Sequence, residues 1–92
     1  MTTYRDFSLS HDGTTWVLAW TAVADDGATR AVTKAIDCDV APAGDTFSRG
    51  DCMGEIDTHL PFDVRARFTR LTAGLVYPVA LAQINGLLAQ LP

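Results

Sequence analysis

The residues with chemistry to offer in this chain are two cysteines, two histidines and a dense run of carboxylates. Cys38, Cys52 and His59 lie in or beside the stretch 37–57, which also holds Asp37, Asp39, Asp45, Asp51, Glu55 and Asp57. These are usable metal ligands, but zinc sites pair their ligands at short spacings such as C-x2-C, and the chain has none. A calcium loop needs acids at alternate positions closed by a glutamate, which this run does not provide. No metal and no cofactor are therefore expected. Cys52 and His59 could serve as thiolate and base, but nothing in the sequence orients either, so an inert thiol and a surface imidazole are expected. There is no glycine-rich phosphate loop and no G-x-S-x-G elbow. Arg49-Gly50-Asp51 spells an integrin-type tripeptide of a kind that arises by chance. The chain is read as non-enzymatic.

Charge is more informative. Six acids against Arg49 give the stretch 37–57 a net charge of -5, while the whole chain carries -4. The acidity is thus concentrated in one segment, expected to be a loop, and Asp39, Asp45, Asp51, Glu55 and Asp57 are its candidate partner-binding residues. An acidic protein repels nucleic-acid phosphates, so direct DNA or RNA binding is not expected. A basic protein or a nucleoprotein complex is the complementary partner. Arg65, Arg67 and Arg70 form an opposite pole. Three arginines do not make a nucleic-acid stripe, and a solvated outer face is expected there.

The N-terminus shows no apolar signal region, so a cytoplasmic location is expected. In a reducing compartment Cys38 and Cys52 should be free thiols. If paired, they would close a 15-residue loop, counting from 38 to 52, and contribute about 3 kcal/mol in the chain-entropy view.

The elements that must position these residues begin with a single domain, 1–92, in which 48% apolar residues can furnish one core. Asp12-Gly13 and Asp26-Gly27 separate three β-rich runs, and Asp-Gly between such runs signals a hairpin. Trp16, Leu18 and Trp20 share one face of the middle run, and core packing is their expected role. They line up with Val32 and Ile36 if Asp25-Asp26-Gly27 is a three-residue loop with Gly27 left-handed; a two-residue loop would move Lys34 to the other face. Phe62 to Leu71 alternates as a strand, with a partner run around Ile56, Thr58 and Leu60. Its Val64, Phe68, Leu71 and Leu75 also fit a helical stripe, and the Phe, Val and Thr content tilts the reading to strand. From Pro78, at a first helical turn, Leu81, Ile84, Leu88 and Leu91 recur at helical spacing.

The expected architecture is α+β: an antiparallel sheet of about four strands, built on an N-terminal three-stranded meander, with a C-terminal helix packed on one face. No charge occurs from Leu71 to Pro92. Pro78, Gln83, Asn85, Gly86 and Gln90 within that tail argue against membrane insertion. A homo-oligomer contact through the helix from Pro78 to Leu91 is the alternative use of such a face. The function expected is an acidic protein-binding module, such as an inhibitor of a basic nuclease. A structural subunit of a virion or secretion apparatus is the rival.

Overall fold

The computed structural model describes residues 1–43, 46–48 and 52–91. Strands β1 (Thr3–His11), β2 (Trp16–Val23) and β3 (Thr29–Ile36) form an antiparallel meander in the order β1-β2-β3. Both Asp-Gly signals are turns. At the first, Asp12 Oδ1 accepts the N–H of Thr14 and of Thr15, each at 2.8 Å, and Gly13 takes a φ of 98°. At the second, the N–H of Ala24 donates to the Ala28 carbonyl, leaving Asp25-Asp26-Gly27 as a three-residue loop with Gly27 at φ 86°. A left-handed backbone is cheap only for glycine, so this residue sets the loop length. Trp16 then faces Ile36 and Trp20 faces Val32, as the three-residue loop requires.

β1 carries a bulge between Arg5 and Ser8, where Asp6 and Phe7 together oppose Trp20. Asp6 adopts a φ of 61°, a conformation Asp tolerates better than most residues. The extra residue exchanges which positions face inward. Tyr4 faces the core side before the bulge; Phe7, Leu9 and His11 do so after it, and Phe7 stacks on Trp20 at 5.6 Å. Trp16, Leu18 and Trp20 are buried in the core, the role expected of them.

The fourth expected strand is a helix. Pro61 opens α2 (Phe62–Thr72), which follows the short α1 (Gly54–His59). The partner run around Ile56, Thr58 and Leu60 is helical up to His59, so neither half of the expected strand pair exists. A strand would have buried Phe62, Val64, Ala66 and Phe68 together. The helix buries Val64 and Phe68 and leaves Phe62 83% exposed. Proline at the start of α2 fixes φ where no intrahelical N–H bond is needed, and the i, i+4 stripe wins over the alternation.

The uncharged tail begins later as a helix than its pattern implied. Val79–Ala80 (β5) pairs with Thr46–Phe47 (β4) in a small second sheet, and α3 runs over Leu81–Leu88. Ile84, Leu88 and Leu91 reach the core, and α3 packs on β1. Asn85 explains why a poor helix former sits mid-helix. Its Oδ1 accepts the Leu9 N–H at 2.8 Å and its Nδ2 donates to the Leu9 carbonyl at 3.1 Å. The side-chain amide thus replaces one rung of a missing neighbouring strand. No helix among the described residues is long and apolar enough to cross a membrane.

Candidate functional site

The expectation of free thiols is overturned: Cys38 and Cys52 form a disulfide, with Cα atoms 5.1 Å apart. Two anchors bring them together. The segment after β3 is pinned where Trp16 Nε1 donates to the Val40 carbonyl at 2.7 Å. Cys52 and Met53 are buried in the core at the entry to α1. A Cα separation of this size is ordinary for a disulfide. While bonded, Cys52 offers no thiolate to His59. Among the described residues, no three His, Cys, Asp or Glu side chains are grouped to hold a metal ion.

The disulfide joins the two ends of the acidic segment. Asp37 and Asp39 flank Cys38 and are exposed; Glu55 and Asp57 follow Cys52 on α1 and are half-buried. The candidate acids are not equivalent. Asp39 extends into solvent. Glu55 is engaged, its Oε2 lying 3.6 Å from His59 Nδ1, which also lies 2.8 Å from the Glu55 carbonyl oxygen. Asp57 turns toward α2: Thr69 Oγ1 sits 3.3 Å from its Oδ1 and 3.0 Å from the Arg65 carbonyl oxygen, so one hydroxyl proton serves two acceptors. Asp57 also lines a hollow of about 300 Å³ with Met53, Phe68, Thr72 and Tyr77. Asp45 and Asp51 lie outside the described residues. The structure therefore gathers Asp39 and Glu55 around one covalent link and directs Asp57 elsewhere.

The basic pole is also divided. On a strand, Arg65 and Arg67 would point the same way; on α2 they diverge by about 200° around the helix. Arg67 and Arg70 are exposed. Arg65 is not a free surface charge, because its Nη2 donates to the carbonyls of Thr58 at 2.8 Å and Leu60 at 3.0 Å. It satisfies carbonyls at the end of α1, where a helix has no partners of its own, and favours the negative end of the dipole. Its guanidinium also lies 5.9 Å from the Phe62 ring centre.

One feature escaped the sequence. A groove of about 440 Å³ opens between the core-facing side of β3 and the α1–α2 junction, lined by Trp20, Arg30, Lys34, His59, Pro61 and Arg65 among others. Its cations, Arg30 and Lys34 from β3 and Arg65 from α2, come from two elements far apart in sequence. The register that pairs Leu18 with Lys34 was the available signal, since it places Lys34, and Arg30 four residues earlier, on the inner face. Comparison with protein-family models, with curated proteins and with solved structures gives no significant match, so the site rests on its own geometry.

Proposed function

We propose that the chain is a non-enzymatic protein-binding module that presents an acidic surface to a basic protein or nucleoprotein complex. An inhibitor of a basic nuclease, of the kind phages and mobile elements carry, fits that description. The observation that supports it is the Cys38–Cys52 link, which holds Asp37, Asp39 and Glu55 around one fixed point instead of along a free loop. Fixing a charged segment before binding lowers the ordering cost of the complex. Long-range attraction between opposite charges then speeds encounter.

A disulfide fits an oxidising compartment better than the cytoplasm first expected from the N-terminus. The test measures binding to candidate basic nucleoprotein complexes by the disulfide-bonded chain and by a variant combining Asp39→Asn, Asp45→Asn, Asp51→Asn and Glu55→Gln. Weaker binding, with a salt dependence lost along with the carboxylates, is expected. Undiminished binding by the variant overturns the proposal.

A second reading, a subunit of a larger assembly, is favoured by one observation. Ala82, Gln83 and Gly86 on the outward side of α3 are exposed and uncharged. Light scattering that finds only monomer at micromolar concentration removes it.

A further inference from the structure

The two edges of the main sheet end differently. At β1 the bulge interrupts the ladder, and Asn85 occupies the N–H and C=O of Leu9. At β3 neither device is present, and all eight residues Thr29–Ile36 pair with β2 without a shift. The Ala24 to Ala28 hydrogen bond fixes the phase of that ladder. Alternation then makes Ala22 with Arg30, Trp20 with Val32 and Leu18 with Lys34 the bonded pairs. The N–H and C=O groups of Thr29, Ala31, Thr33 and Ala35 therefore point away from β2. The same phase makes Leu18 and Leu9 a non-bonded pair and turns the Leu9 groups outward, where Asn85 meets them. Among the described residues no hydrogen bond from outside the sheet reaches Thr29, Ala31, Thr33 or Ala35, and all four are exposed.

Charge determines what can pair there. Arg30 and Lys34 flank Val32 on the core-facing side, about 13 Å apart by strand geometry. Behind them lies the groove that Trp20, His59 and Arg65 also line. A second copy of β3 is a poor occupant. Antiparallel pairing centred on Val32 sets Arg30 opposite Lys34 of the copy, and centring on Arg30 or Lys34 sets that residue opposite itself. Centring on Ala31 or Thr33 leaves the two Arg30 or the two Lys34 side chains as diagonal neighbours. Like charges directly opposite destabilise a strand pair. An extended segment with Asp or Glu at alternate positions reverses the sign of every such contact. Main-chain bonds would supply affinity, and the groove would receive alternate side chains.

We infer that β3 is a strand-addition site for an extended acidic segment of a partner protein. Its main chain pairs with Thr29 to Ala35, and its carboxylates meet Arg30 and Lys34 at the mouth of the groove. Arg30 and Lys34 then repel the chain's own edge and select a partner's. This site rests on the β3 main chain with Arg30 and Lys34, not on the carboxylates proposed above, and stands independently of them.

The test titrates the full disulfide-bonded chain with a capped synthetic peptide of about eight residues, alternating Glu with Val or Thr, followed by amide NMR. Shifts and slowed exchange at Thr29, Ala31, Thr33 and Ala35 are expected. Binding should weaken by roughly tenfold or more in the Arg30→Glu, Lys34→Glu double variant and in ~0.5 M salt. Methylating one alternate set of peptide nitrogens should abolish binding, while methylating the other set leaves it intact. Equal effects of the two sets, equal binding of a Lys-alternating peptide, or absence of binding would each overturn the inference. So would a dimer of the chain alone that protects the β3 amides. If the double variant does not fold, Arg30→Ser with Lys34→Ser takes its place.

Discussion

Asn85→Ala removes both described hydrogen bonds between α3 and the open side of β1, and their geometry sets its cost. Two hydrogen bonds, at 2.8 and 3.1 Å, are lost together. Each contributes about 0.5–1.5 kcal/mol net, and an orphaned buried group costs about 1–3 kcal/mol. The Leu9 groups are only partly buried, which places the combined loss near 2–3 kcal/mol. Alanine in a helix interior returns about 0.5 kcal/mol. A net loss of about 2 kcal/mol is large against the stability of a small domain, and lowers Tm by roughly 8–16 °C. Urea unfolding followed by tryptophan fluorescence measures the loss, and hydrogen exchange at the Leu9 amide locates it. The Asn85→Asp variant adds a control. At neutral pH its carboxylate keeps the acceptor but sets an oxygen against the Leu9 carbonyl, whereas in acid it regains a donor, so its defect should shrink as pH falls. An Asn85→Ala variant within about 0.5 kcal/mol of the parent, or with unchanged Leu9 exchange, would refute the reasoning.

Three further outcomes are expected. Phe68→Ala should cost about 3–5 kcal/mol and Phe62→Ala within about 0.5 kcal/mol, measured by urea unfolding; comparable losses would restore the strand reading of this segment. Replacing Cys38 and Cys52 together by alanine should lower stability by about 3 kcal/mol, and the intact mass of the parent should rise on reduction by two hydrogens. Backbone bonds from Thr15 and Thr14 hold the Asp12 carboxyl below its ordinary 3.8. Its contribution is therefore present above that value and lost as pH falls through the lower folded one; Asp12→Ala should flatten this part of an acid titration.

The meander was legible because its information is local. Asp12-Gly13 and Asp26-Gly27 dictate their turns, and the apolar set Trp16, Leu18, Trp20, Val32 and Ile36 chooses between loop lengths. The bulge was not legible, since Asp6 occupies a left-handed position that glycine would have advertised. Phe62 to Leu71 satisfied both periods at once, and Pro61 carried the deciding evidence one residue earlier. The acidic segment was visible as composition, but its geometry depends on a pairing that two isolated cysteines cannot reveal. The groove was the least legible part, because Arg30, Lys34 and Arg65 become neighbours only when β3 and the α1–α2 junction are assembled.

The disulfide also has a consequence for the survival of the molecule. Residues 38 to 52 form a covalent ring, and everything before it is joined to everything after it through sulfur as well as through the main chain. A protease that cuts once between positions 39 and 51 would open the ring without releasing either half. The nicked protein would keep the meander and the helices as one covalent species, and would separate into two pieces only when reduced.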